Sequence, residues 1–219
     1  MQKRGQVDLE QIERELKKRW AHPYVWPKKQ DDAWDEQTDF IYQISKYDEL
    51  ERAIAGYGEE LKNYARNRWY NFWSAVAVEQ IFGMHKAVKP HPDPKDRYVD
   101  FTIGKIPFDL KTSVYPQKYP RPIHEALNTK PELIRWLYRH QSRQRRHHLK
   151  NRLFIILYAA DGEHWRLKAR IFLLKHRIDA YLDNLHPSVA GLYRFKTEDG
   201  GSFFSDIIWV IDGLGRGSG

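Results

Sequence analysis

The chain has 219 residues, with 37 Lys and Arg against 29 Asp and Glu, a formal net charge of +8 and no cysteine. That length fills one good core, while the missing thiols exclude disulfides and thiolate zinc sites. The positive balance points to a polyanionic partner. No stretch approaches the apolar length of a membrane span, and the N-terminus lacks a signal-peptide pattern. A soluble, cytoplasmic protein with no membrane partner is therefore expected.

Residues Val7 to Trp20 read as an amphipathic helix with Leu9, Ile12 and Leu16 as its apolar edge. Ala21 to Asp39, with Pro23, Trp26, Pro27 and Trp34, reads as an ordered loop pinned by its aromatics. Ile41 to Ala55 reads as a helix, broken by Gly56 and Gly58. These parts suggest a helical N-terminal extension over 1–56, packed on a domain spanning 57–212, with a flexible tail over 213–219.

Leu61 to Gly83 is a further helix, with Leu61, Ala65, Trp69, Phe72 and Val76 at steps of three and four. Glu79 falls on that stripe. A carboxylate on a core-facing stripe needs a partner: water where the stripe meets the surface, an arginine such as Arg68, or a cation shared with other acids. Gly83 marks the end of this helix, and Lys89 to Pro94 reads as a proline-punctuated loop. His85 and His91 receive no role.

The next stretch reads as a hairpin. Val99, Phe101 and Ile103 alternate, and Ile106, Phe108 and Leu110 repeat the alternation after a turn at Gly104-Lys105. The turn sets Ile103 opposite Ile106, Phe101 opposite Phe108, and Asp100 opposite Asp109, with Lys111 on the face of Asp109. Facing carboxylates destabilise a sheet and cannot both ionise comfortably. A divalent metal removes the conflict, and a lysine beside it can orient a water. A solvated ladder of acids and lysine is the alternative. Pro107, inside the hairpin, favours an edge or a local distortion.

Ser113 and Tyr115 continue the strand, and Pro116 to Pro122 forms a loop. Pro131 opens a helix carrying Leu133, Ile134, Trp136 and Leu137. No acid interrupts the chain between Glu132 and Asp161, while Arg135, Arg139, Arg143, Arg145, Arg146, Lys150 and Arg152 follow one another. Surface helices normally mix signs, so Arg139, Arg143, Arg145, Arg146 and Lys150 are candidate phosphate contacts, with a solvated basic face as the alternative. Leu153 to Ala160 reads as a strand buried on both faces. Trp165 to Leu185 is an amphipathic helix on Ile171, Leu174, Ile178 and Leu182. Leu192 to Phe195 and Ile207 to Ile211 are strands around the turn Asp199-Gly200-Gly201. The whole is α/β, a central mixed sheet flanked by helices.

A helix glutamate followed by a hairpin with an Asp and then Asp-x-Lys resembles the PD-(D/E)XK nuclease superfamily, the fold of many type II restriction endonucleases. Glu79 matches the helix acid, Asp100 the first hairpin acid, Asp109 the second and Lys111 the lysine. Val99 stands where the motif has Pro, and Asp109 where Glu is commoner. The likeness runs roughly from Leu61 to Asp161. It implies a restriction endonuclease-like core and an endonuclease that hydrolyses phosphodiester bonds in duplex or branched DNA. Glu79, Asp100, Asp109 and the Leu110 carbonyl would hold Mg²⁺, with Mn²⁺ able to substitute, and Lys111 would orient the attacking water. It also implies a homodimer. A restriction-type and a structure-specific nuclease (junction resolvase or repair type) both fit, and RNA as substrate stays open. Outside that class, a non-catalytic nucleic-acid-binding protein remains the competing reading.

Overall fold

The structure, a computed structural model, describes residues 6–28, 31–93, 96, 98–141, 150–185, 191–197 and 200–213. The chain divides into two compact units, Met1–Gln80 with Trp165–Lys175, and Ile81–His164 with His176–Gly219. Arg143, Arg145 and Arg146, the turn residue Asp199, and 214–219 of the expected tail lie outside the described residues.

In the first unit, α1 (Leu9–Lys18) starts where Asp8 accepts the N–H groups of Glu10 and Gln11, and it buries Ile12 and Leu16. The following connector is pinned by Arg19, fully buried, which donates to the carbonyls of His22 (2.7 Å) and Pro23 (2.9 Å). Tyr24 stacks on Trp165 at 4.8 Å. The expectation of one loop over Ala21 to Asp39 is corrected by α2 (Asp32–Gln37). The Asp31 carboxylate caps the Trp34 N–H there at 3.0 Å. The single helix expected over Ile41 to Ala55 is instead a 3-10 turn, Asp39–Tyr42, and then α3 (Tyr47–Ala53). A contact from another helix decides that start, since Glu15 accepts the Tyr47 N–H at 2.7 Å.

Helix α4 (Glu59–Met84) runs past Gly83 rather than stopping at it. Its buried positions include Ala65, Trp69, Trp73, Ala77 and Ile81. Glu79 is exposed, which corrects its expected place on the core stripe. At about 100° per residue, Glu79 lies nearly opposite both Ala77 and Ile81. The face turned inward is set by the large rings of Tyr64, Trp69, Tyr70 and Trp73, not by the narrower stripe through Phe72 and Val76.

The second unit is built on a six-stranded sheet of order β1-β2-β3-β4-β6-β5. Its strands are β1 (Val88–Pro90), β2 (Phe101–Ile103), β3 (Ile106–Val114), β4 (Arg152–Ala159), β5 (Tyr193–Lys196) and β6 (Ser202–Asp212). β1 takes in Lys89 and Pro90 of the expected Lys89 to Pro94 loop, and as an edge strand it tolerates Pro90. β3 is antiparallel to β2, β4 is parallel to both β3 and β6, and β5 is antiparallel to β6. The sheet is mixed, as expected, and β4 buries every side chain from Leu153 to Leu157.

Helices α5 (Ile123–Asn128) and α6 (Lys130–Gln141) follow β3. Leu133, Ile134 and Leu137 of α6 pack with Phe154, Ile156, Phe203 and Ile207. Arg152, expected in one basic run with α6, opens β4 instead. Helix α7 (Ile171–Asn184) buries Ile171, Leu174, Ile178 and Leu182 as expected, but a 3-10 segment, His164–Ala169, precedes it where one helix was expected. Among the described residues, no helix is long and apolar enough to cross a membrane.

Candidate active site

The hairpin turns where its sequence says. Gly104 has φ of 62°, a conformation that glycine adopts without a side-chain clash, and Ile103 pairs with Ile106 and Phe101 with Phe108. Pro107 faces Thr102, at a pair that needs no N–H if the closing Ile103–Ile106 pair is hydrogen-bonded.

β3 then changes partners. Ile106 to Phe108 pair with β2, whereas Asp109 to Val114 pair with β4, starting at Asp109 opposite Arg152. Asp109 is the residue at the fork. Its N–H donates across to the Asn151 carbonyl at 3.0 Å, and the Asp100 N–H donates to the Phe108 carbonyl at 2.9 Å. Phe108 thus faces both Asp100 and Phe101, a bulge that turns Asp100 out of simple opposition to Asp109. The Leu110 N–H points to the β2 side, where the Asp100 Oδ2 accepts it at 2.6 Å. Asp100 takes over a donor that β2 has left behind.

Burial raises the Asp100 carboxyl above the usual carboxylate range, opposed by the Leu110 N–H, and the nearby Asp109 pushes it further up while Lys111 and Arg152 pull it down. The Asp100 carboxylate is thus hydrogen-bonded to the residue between Asp109 and Lys111, rather than facing Asp109 across the hairpin as the turn alone predicts. Lys111 is exposed. Arg152 is the addition. Its Nε donates to the Asp109 Oδ2, and its guanidinium lies over the Tyr138 and Phe154 rings at 5.4 and 5.8 Å. Asn151 ties the strand ends together, its Nδ2 donating to the Pro107 carbonyl (3.0 Å) and its Oδ1 accepting the Phe204 N–H (2.8 Å).

Glu79 belongs to the first unit, whereas Asp100 and Asp109 belong to the second. Among the described residues, no three His, Cys, Asp or Glu side chains form a group that could hold a metal ion. Of the expected phosphate contacts, Arg139 is exposed in the last turn of α6. The Lys150 ammonium sits over the Tyr98 ring at 3.3 Å. Sequence reasoning missed Arg152 and Asn151 as neighbours of the acids. The available signal was that Arg152 immediately precedes the buried strand, but nothing local reveals which residue of β3 it meets.

A second polar cluster lies elsewhere in the same unit, beside a cavity of about 390 Å³ lined by Lys130, Tyr181, Asp206 and Trp209 among others. Asp206 is 5% exposed and accepts from Lys130 (3.2 Å), Tyr181 (3.1 Å) and the Ile207 N–H (2.7 Å).

No family model, curated protein or solved structure matches this chain.

Proposed function

We propose that this protein is a metal-dependent endonuclease with a restriction endonuclease-like core, hydrolysing phosphodiester bonds in DNA. One observation carries the reading: where β3 parts from β2, the Asp100 carboxylate accepts the N–H of Leu110, the residue between Asp109 and Lys111. The donor set suits Mg²⁺. Asp100 Oδ2 is taken by the Leu110 N–H and Asp109 Oδ2 by Arg152. The Oδ1 of each then has no partner among the described residues. Mg²⁺ asks for only one or two carboxylates, the rest of its shell being water and substrate oxygens. Asp100, Asp109 and the Leu110 carbonyl would hold it.

The chemistry that bound Mg²⁺ supplies is polarisation of the scissile phosphate and of the attacking water. The chain's own groups hold the geometry. Asn151 and the Asp109–Arg152 pair keep the strand ends in register, and Asp100 is oriented by the Leu110 N–H. The Lys111 ammonium orients the water and offsets charge growing on the phosphate. The net charge of +8 favours a polyanion.

The test is incubation of wild type and Asp109→Ala with plasmid, genomic and branched DNA in Mg²⁺, Mn²⁺ or EDTA. Metal-dependent cutting that falls at least about a hundredfold in the variant is expected. Discrete fragments from duplex mark the restriction type, and cutting confined to branched substrates marks the structure-specific type. The pairing of Asp109 with Arg152 favours one competing reading, a DNA-binding protein without turnover. Salt-sensitive DNA binding with no cleavage on any substrate would establish it.

A further inference from the structure

We infer that Arg152 is a phosphate-binding residue of this site, holding a non-bridging edge of the nucleic-acid backbone beside the acid pair. The inference rests on the nuclease reading for its context, and on the geometry of Arg152 for its content.

A guanidinium presents five N–H donors in a planar fork. Arg152 commits Nε to Asp109. Among the described residues, neither terminal nitrogen has an acceptor. The plane is fixed from one side by Asp109 and from others by the Tyr138 and Phe154 rings, at 5.4 and 5.8 Å. The Tyr138 ring is itself tied down, its hydroxyl donating to the Lys150 carbonyl at 2.7 Å. The Arg152 side chain keeps 22% of its surface open to solvent. A charged fork that is held on Asp109, partly open and, among the described residues, short of acceptors matches two oxygens of one phosphodiester.

Charge makes the same argument. Asp100 and Asp109 alone would repel a backbone phosphate. Lys111 offsets one carboxylate and Arg152 the other, so the protein side of the site is close to neutral before any metal arrives. Lysine at 152 would supply the charge without the fork. The ion pair with Asp109 then has a purpose besides stability: it aims the guanidinium. On this view Arg152 is a second-strand counterpart of Lys111, one opposite Asp109 on β4 and the other two residues beyond Asp109 on β3.

The experiment is binding of a short DNA duplex in EDTA, followed by fluorescence anisotropy over a range of NaCl, for wild type, Arg152→Gln and Arg152→Lys. Mn²⁺ binding without DNA is measured on the same proteins by calorimetry. Arg152→Gln should weaken duplex binding about tenfold and reduce the slope of log affinity on log salt by about one. Mn²⁺ binding should persist. Arg152→Lys should restore the slope but not the full affinity. In wild type, the Arg152 Nε–H resonance should shift on addition of duplex, a readout that needs no variant to fold. Wild-type affinity and slope in Arg152→Gln, or an unmoved resonance, would overturn the inference. So would loss of Mn²⁺ binding with DNA affinity intact, which would leave Arg152 as a clamp on Asp109 only. Cleavage by wild type in Mg²⁺ is scored separately. A protein that binds duplex through Arg152 and never cuts would refute the nuclease and leave the phosphate contact standing.

Discussion

Asp100 sits under opposing demands. Burial, helped by Asp109, raises its carboxyl above the usual range, while the Leu110 N–H, Lys111 and Arg152 pull the other way. The balance is upward, so ionised Asp100 costs the fold stability when no cation is bound. The sign follows: between the ordinary carboxylate range and the raised folded value, the folded state binds more protons than the unfolded chain, and stability falls as pH rises. Asp100→Asn can still accept the Leu110 N–H. Urea unfolding across pH in EDTA should show a variant more stable than wild type above that window, with this decline removed, and inactive in cleavage. A variant less stable at neutral pH would contradict the assignment.

At the scale of elements, strands and helices are joined by a few polar crosslinks rather than by apolar contact alone. Asp206 of β6 gathers Lys130 at the start of α6, Tyr181 on α7 and the N–H of Ile207. Burial, reinforced by Asp206, drives the Tyr181 hydroxyl far above its ordinary value, so it stays a donor. Asp206→Ala would take the acceptor from a half-buried ammonium and a half-buried hydroxyl together. Chemical denaturation should register a loss of about 3 kcal/mol. A change within about 0.5 kcal/mol would mean that water replaces the carboxylate without penalty. Asn151 plays the comparable part near the acids, bridging Pro107 before the fork and Phe204 in β6. Its two amide bonds hold in place the backbone that presents Asp109.

Over the whole molecule, charge is the property with the longest reach. With a net charge of +8, duplex binding should weaken linearly in log affinity against log salt, with a slope of roughly −0.9 per phosphate neutralised. Anisotropy titrations with wild-type protein measure that slope directly. Indifference to salt would argue against any backbone-contacting role, Arg139 and Lys150 included.

Several features were legible in the residues themselves because the forces that make them are local. The Gly104-Lys105 turn, the alternation on either side of it, the buried strand through Leu153 to Leu157 and the core stripe of α7 all follow from neighbours a few residues apart. The facing of Asp100 and Asp109 that the same alternation predicts is undone by the bulge at Phe108. Contacts between distant segments decided the rest. Glu79 could not be placed from spacing, because the face α4 buries depends on which large rings find partners. The start of α3 depends on Glu15, 32 residues away. Arg152 meets Asp109 across 43 residues of chain, through the register of two parallel strands. Parallel pairing has no tight turn to set its register, so the composition of the basic stretch could name the arginine, but only the folded sheet could bring it to the acids.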